Sequence, residues 1–513
     1  MKKRRKPVWL RELLIRRAIV AILILAQIAF IVTTIIHYQQ LKWLHRAMNA
    51  VSILIAMHLL TRRDENSAFK LSLVFVILLF PLFGGALYCI LQYQTANLGF
   101  RRKISKIQSR SATAYPCAAH TLQNAVRSAP ESTKLLLYLQ NHIGFPVYDN
   151  TETVYFPDGN DMLSSLLSEL KKAKRYIFLE FFIIEEGFFW DSILEVLRER
   201  AKSGVDVRII YDDIGCLLRL PQNYSQRLQK YGIRCAVFNR FRPFLTSVQN
   251  NRDHRKIIVI DGTVAYTGGI NLADEYLNRK TPFGKWKDNA ILLRGAGAWS
   301  FTVMFLQMWS FLCKRDEDLL SYAPITSTKS HSDGFVQPYC DSPIDKAHIG
   351  EHVYLHVIEQ AQSYLYITTP YLTVDGALIA SLKLAAKSGV DVRIITPGHP
   401  DKKAVHFTSR SYYRELICAG VKIYEFSDGF IHSKCFLSDD RVATVGTVNL
   451  DFRSLYLHFE CGACLYRTST LKEIKSDYLQ TLTHCRRITE NDCKTNFFVR
   501  VFQDVCRIFA PLM

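Results

Sequence analysis

Two copies of one short pattern hold the residues best suited to chemistry. His254-Arg255-Lys256 is followed after four residues by Asp261, and His432-Ser433-Lys434 after four residues by Asp439. Each copy carries a matching tail: Gly268-Gly269-Ile270-Asn271 in the first, Gly446-Thr447-Val448-Asn449 in the second. A neutral imidazole can attack phosphorus, and a protonated one can give its proton to the departing oxygen. Lysine and asparagine supply the charge and the N–H donors that stabilise charge on phosphoryl oxygens. Two such sets facing one another make a phosphoryl-transfer site without a metal, and no cluster of Asp or Glu suited to Mg²⁺ or Zn²⁺ accompanies them. The catalytic set is then His254, Lys256, Asp261, His432, Lys434 and Asp439, with Asn271 and Asn449 on the phosphate. The two aspartates also suit a structural part, ending a strand and shaping its turn.

The elements around these residues must bring them together. On an extended segment residues i and i+2 share a face, so each His and its Lys converge on one target. Ile257–Ile260 is an apolar run that suits a buried strand, and Gly268-Gly269 allows a tight turn before Asn271. Upstream, the pattern predicts strands over 176–183, 205–211 and 233–238. Helices lie between them, one opened near Asp191 and stopped at Gly204, the next stopped at Gly232. The second half replays this order: a strand at 364–368, a helix from Asp375 to Gly389, a strand at 390–395, then Gly420 and a strand at 421–426. The decapeptide Ala-Lys-Ser-Gly-Val-Asp-Val-Arg-Ile-Ile stands at 201–210 and again, unchanged, at 386–395. Such self-similarity indicates a duplicated domain. Alternating strands and helices predict an α/β fold whose sheets are mixed, largely parallel and covered by helices. The polar stretch 321–334 reads as the joint between the halves.

The first hundred residues have another character. Ala18 to Ile36 is a run of 19 residues without a charge, about 28 Å as a helix, close to the ~30 Å thickness of bilayer hydrocarbon. A second uncharged run covers Leu71 to Tyr93, with Pro81 and Gly84-Gly85 as kink points. Between them, the 15 residues Ala47–Thr61 are short for a span and read as interfacial or re-entrant. Residues 1–17 carry eight Lys/Arg against one Glu, and 101–110 add five more bases with no acid. Both flanks therefore favour the cytoplasm, which requires an even number of crossings. The thirteen cysteines lack a regular framework and suit a reducing compartment; Cys461-Gly-Ala-Cys464 lies in an apolar stretch and reads as core. The net charge of +19 calls for an acidic partner, anionic lipid or nucleic acid.

These motifs in combination resemble the phospholipase D superfamily, whose signature is the paired H-x-K-x4-D, and within it the bacterial cardiolipin synthases. The likeness extends to Phe80-Pro81-Leu82-Phe83-Gly84-Gly85, Leu179-Glu180-Phe181-Phe182-Ile183, Asn250-Asn251-Arg252-Asp253, Thr369-Pro370-Tyr371, Asn449-Leu450-Asp451-Phe452-Arg453-Ser454 and Ala510-Pro511-Leu512. The chain departs from the family pattern at Thr447, where Ser is usual, and at His458, where Asn is common.

The resemblance implies two phospholipase D-like β/α sandwich domains packed together, expected at 150–320 and 335–513. A transmembrane region at 1–100 and a polar tether at 101–149 would precede them. It implies His254 as nucleophile, His432 as general acid and base, and one carboxylate downstream of each motif, Asp288 and Glu460, orienting an imidazole. The implied reaction is phosphatidyl transfer between two phosphatidylglycerol molecules, giving cardiolipin and glycerol without a cofactor. Its partners are anionic phospholipid and the membrane rather than nucleic acid. A hydrolase, a transferase using another alcohol, and a nuclease share the same motifs and stand as alternatives.

Overall fold

The computed structural model describes residues 22–512 apart from 23–24, 31, 34–35, 63–65, 82, 86–87, 89–94, 117–118, 242–246, 326–333 and 345–346. Two mixed sheets form the centre. The first has seven strands in the order Thr151–Phe156, Ala290–Gly295, Val264–Gly268, Ile257–Ile260, Tyr176–Phe181, Asp206–Asp212 and Arg234–Phe238. The second has nine strands. Its path runs Phe335–Asp341, His458–Tyr466, Val442–Gly446, Cys435–Ser438, Tyr364–Thr368, Asp391–Pro397, Lys422–Phe426 and Cys485–Ile488, and Arg252–Asp253 joins from outside it.

The repeated decapeptide does the same work twice. Its Asp206 and Asp391 open the strands that pair in parallel with Tyr176–Phe181 and Tyr364–Thr368. In each sheet three neighbouring strands are parallel and the H-x-K half is antiparallel, so the sheets are less parallel than the alternating pattern predicts. The reason is local. After Ile260 the chain reverses through Asp261 and Gly262, both at positive φ (51° and 71°), and returns as a hairpin instead of crossing over.

Both sheets share a core. Phe178, Ile257 and Val259 of the first are buried with Tyr339, Val445 and Ala463 of the second, around the helix Ala298–Cys313. That helix is apolar on all sides and buried over most of its length, as an enclosed core helix must be. Residues 101–149 are not a free tether. They form the helices Thr95–Ser111 and Ala119–Ser128 and further turns, which place Ile104, Leu122, Ala125, Leu135 and Leu136 in the same core. Apolar spacing within a polar segment earned them that place. Part of the expected joint, 326–333, lies outside the described residues.

The apolar region differs from expectation. Among the described residues one helix, Lys42–Thr61 within Tyr38–Thr61, is long and apolar enough to cross a bilayer. It contains the stretch read as interfacial, lengthened at its start by residues that the charge criterion had set aside. The expected span Ala18–Ile36 falls in large part outside the described residues. The other, from Leu71, begins in the helix Ser67–Leu79 and is interrupted at Phe80 (φ −128°, ψ 75°), where Pro81 disfavours helical backbone; helix resumes at Pro81 and 83–85, and 82, 86–87 and 89–93 of the run lie outside the described residues. A multi-pass arrangement is therefore not reproduced in the described residues.

Asp261 and Asp439 are structural. Asp261 accepts the backbone N–H groups of Lys174, Arg175 and Tyr176 at 2.8, 2.8 and 2.9 Å. Asp439 does the same for Gln362, Ser363 and Tyr364 at 2.7, 2.9 and 2.8 Å. Each sits at the far end of a strand, about 20 Å along the chain from its histidine. They clamp the entry of the first parallel strand in each sheet, the structural part that their position after the strand allows. Asp439→Ala is expected to cost about 2 kcal/mol, since a carboxylate serving several N–H groups is lost. Thermal unfolding should show the loss while the titration of His254 and His432, followed by NMR, stays unchanged.

Candidate active site

Each H-x-K segment is tied to the opposite half of the molecule. Arg252-Asp253 pairs in parallel with His458-Phe459, and the His254 N–H continues the ladder to the Phe459 carbonyl at 2.9 Å. Gly429–Ile431 pairs in parallel with Lys285–Lys287, and the His432 N–H reaches the Lys287 carbonyl at 2.7 Å. Two residues beyond Phe459's neighbour His458 comes Glu460, and directly after Lys287 comes Asp288.

The carboxylates are therefore exchanged. His254 Nδ1 lies 2.9 and 3.0 Å from the Glu460 oxygens, and His432 Nδ1 lies 2.6 Å from Asp288 Oδ2. Each motif's histidine is oriented by the carboxylate downstream of the other motif. With Nδ1 committed to a carboxylate, Nε2 of each ring is the nitrogen left for chemistry. Glu460 also accepts hydrogen bonds from the Thr447 and Ser454 hydroxyls, and Asp288 accepts the Asn289 N–H at 2.8 Å. A Cβ at Gly269 would stand 2.0 Å from Asp288 Oδ1, so the second glycine of the first tail makes room for that carboxylate. At the matching place Thr447 supplies a hydroxyl to Glu460, which is why the tails can differ there.

The lysines sit against their own histidines. Lys256 Nζ donates to the His254 carbonyl at 2.6 Å; Lys434 Nζ donates to the His432 carbonyl and lies 2.8 Å from His432 Nδ1. All four side chains are buried. Burial, helped by Lys256, brings His254 down to about 3; burial and Lys434 bring His432 down to about 4. Burial lowers Lys256 to about 8, and burial together with Lys256 lowers Lys434 to about 7. Burial works to raise Glu460 and Asp288, but the imidazoles facing them prevail and hold both below the usual carboxylate range. Burial thus disfavours a charge on either imidazole, and each ring faces a carboxylate held below its usual range.

The asparagines are not equivalent. Asn271 accepts the Ile183 N–H at 3.1 Å and donates to the Tyr276 hydroxyl at 2.6 Å, so its amide is largely engaged. Asn449 is held through its backbone N–H on Ser454 Oγ (2.9 Å), and its buried Oδ1 has no protein partner. Aromatic rings wall the site: Phe182 against His254, and Tyr276, Trp286 and Phe430 against His432.

Several of these residues carried no assigned part in the sequence: Thr447, Ser454, Tyr276, and the buried Arg255, which alternation turns away from the site. Arg255 pairs with Glu180 at 2.5 Å and Asp253 at 3.2 Å, while Arg252 pairs with Asp212 at 2.6 Å. Ser433 replaces Arg255 in the other motif, so this ionic foundation belongs to one half. His254, His458 and Glu460 have ligand atoms within 4.8 Å of one another, a spacing open to a metal. However, both Glu460 oxygens are already taken by His254 and by a hydroxyl, which favours an orienting carboxylate.

The family described as "cardiolipin synthase, PLD-like domain" matches residues 166–289 and 354–482, one match for each H-x-K motif. The chain is 39% identical to a cardiolipin synthase of Geobacillus sp. (strain WCH70), covering 75% of this chain and 77% of that protein. This chain belongs to the cardiolipin synthase family. A cardiolipin synthase of Alkalihalophilus pseudofirmus is 37% identical over 74% of this chain and 76% of its own length. An uncharacterised Streptococcus mutans protein is 44% identical over 85% and 95%. The solved structure of Haemophilus influenzae phosphatidylserine synthase shares the fold, with a TM-score of 0.56 and 15% identity over 73% of this chain and 96% of that one.

In the substrate-free protein, ¹⁵N NMR at pH 6 is expected to show both imidazoles neutral with the proton on Nδ1. Signals of a protonated ring at either residue would contradict the lowered pKa values.

Proposed function

We propose that this protein is a phosphatidyltransferase that condenses two phosphatidylglycerol molecules into cardiolipin and glycerol. The observation that carries the reading is the pair of exchanged imidazole–carboxylate contacts, within a chain of the cardiolipin synthase family. His254 Nε2 attacks phosphorus and forms an N–P bond as the bond to the glycerol headgroup breaks. His432 gives its proton to the departing oxygen. The headgroup hydroxyl of a second phosphatidylglycerol then loses its proton to His432 and attacks phosphorus, and the N–P bond breaks. His432 ends as it began, protonated.

Burial lowers the pKa of His432, and the anionic phosphodiester supplies the charge that raises it again, so that the ring is protonated when the first step begins. Lys256 and Lys434 hold the phosphoryl oxygens, and the side-chain N–H groups of Asn449 join them as donors. We assign the domains to 150–320 and 335–513, and membrane attachment to the apolar helices before residue 100, with the catalytic halves on the cytoplasmic side.

His254→Ala should abolish cardiolipin formation from purified phosphatidylglycerol and remove the covalent lipid adduct. An adduct that survives, or phosphatidic acid as the main product of the unaltered protein, would sink the transferase mechanism. Glu460→Gln keeps the shape but loses the charge that holds His254, and kcat should fall by roughly 100-fold or more.

The lysines set an alkaline limit. A lysine is charged below its pKa, and these titrate near 7 and 8 in the free enzyme. The value of kcat/KM, which reports free-enzyme groups, should therefore decline as pH rises through 7 to 8. Lys434→Arg, charged throughout, should move that limb upward; an unchanged limb would remove Lys434 from phosphate binding.

A further inference from the structure

The helix Phe497–Phe509 is built inside out for a protein surface. It contains no buried residue, yet Phe497, Phe498 and Phe502 are 73%, 81% and 58% exposed. Val501, Val505 and Ile508 continue the same exposed stripe. The i, i+3, i+4, i+7 spacing makes 498, 501, 502 and 505 one face. The residues turned toward the helix Lys403–Cys418 include polar ones: Gln503 is half-buried, and Arg507 pairs with Glu415 at 2.8 Å. A water-facing helix would present the opposite arrangement. Scattered exposed apolar residues are ordinary, but a continuous stripe of this size marks a contact surface.

The stripe is continuous with the apolar helices. Phe509 meets Phe75 of the helix Ser67–Leu79 edge to face at 5.6 Å, and Ser72 donates to the Ile508 carbonyl. Ser67–Leu79 in turn packs on the candidate membrane-crossing helix and exposes Leu71, Leu78 and Leu79. Arg500 and, beside Phe407 on the neighbouring helix, Lys402 and Lys403 are exposed at the rim. Phe407 itself touches Phe502 at 5.4 Å between ring centres. An apolar face with Arg500, Lys402 and Lys403 beside it against the single exposed acid Asp504 of its own helix, and joined to a candidate membrane helix, fits an anionic bilayer surface.

We infer that Phe497–Phe509 lies in the interfacial layer of the membrane, with Phe498, Val501, Phe502 and Val505 inserted among the lipid acyl chains. The placement bears on the site. Ala510–Leu512 packs on the turn Phe452–Tyr456, whose Phe452 and Tyr456 also meet Phe69 at 5.8 Å each. The same turn carries Ser454, which holds both Asn449 and Glu460. The lipid-seated elements are thus fastened to the segment that positions Glu460 against His254, and the substrate is delivered from that side. This deepens the membrane reading above without depending on the reaction proposed there.

The test uses the full-length protein in phosphatidylglycerol/phosphatidylcholine vesicles carrying a photoactivatable acyl chain, with adducts mapped by mass spectrometry. Adducts are expected on 498, 501, 502 and 505. Their yield should be at least about tenfold above that at Leu320, which is 65% exposed beside the opposite end of the first sheet. Phe498→Glu/Phe502→Glu should reduce the adducts at 501 and 505 by about tenfold while those on Tyr38–Thr61 persist. Adducts confined to Tyr38–Thr61 in the unaltered protein would overturn the inference. Cross-links between two copies through the stripe, in place of lipid adducts, would overturn it in favour of a dimer. Neither readout needs catalysis, so loss of the proposed transferase activity would leave this result standing.

Discussion

Everything at the centre of this protein depends on two buried imidazole–carboxylate contacts that cross between its halves. A neutral histidine in a dry pocket can rotate and can carry its proton on either nitrogen. A carboxylate on Nδ1 removes both freedoms and directs Nε2 outward. Here neither half can supply that carboxylate to its own histidine. Glu460 faces His254 and Asp288 faces His432, so neither half orients its own imidazole. The short parallel ladders Arg252-Asp253 with His458-Phe459 and Gly429–Ile431 with Lys285–Lys287 enforce the exchange through backbone hydrogen bonds. Duplication followed by exchange explains why the two sheets share one core.

The two-fold repeat is close but not complete, and its departures have a pattern. Behind His254 lies an ionic base of Arg255, Glu180 and Asp253, with Arg252 and Asp212 beside it. Behind His432 the matching motif positions are Ser433, Phe430 and Ile431, which are buried without charge. Breaking a buried ion pair leaves an uncompensated charge, so the first half is rigidly specified at the point where a covalent bond to phosphorus is proposed to form. The second half is softer and lined by Phe430, Trp286 and Tyr276 around the histidine proposed to move protons. Unequal surroundings suit unequal roles.

Electrostatics and architecture meet at the substrate. Burial drives His254, His432, Lys256 and Lys434 toward their uncharged forms, a state that the proposed anionic phosphodiester would reverse on binding. The site is thereby suited to an anion, and the apolar helices are joined to it through one short segment. The turn Phe452–Tyr456 links the two, touching Phe69 on one side and placing Ser454 on the other.

Much of this was legible in the amino-acid order. The paired H-x-K motifs, their tails and the repeated decapeptide identify a duplicated α/β fold and name His254, His432, Lys256 and Lys434, because strand periodicity and chemical type are local properties. The downstream carboxylates Asp288 and Glu460 were within reach by family likeness. Which of them faces which histidine was not, since that choice depends on strands separated by more than a hundred residues. The aspartates of the motif looked chemical by spacing, and the backbone turned them into clamps for the strands that begin at Tyr176 and Tyr364. Likewise, uncharged length marked 18–36 and 71–93 as membrane-crossing, while among the described residues the helix long and apolar enough to cross is Lys42–Thr61, because its helix begins before the uncharged stretch. The amino-acid order specifies the paired His and Lys residues and the duplication. Only the tertiary structure decided the exchange of carboxylates and the outward face of Phe497–Phe509, because both arise from contacts between segments whose separation along the chain carries no information about their distance in space.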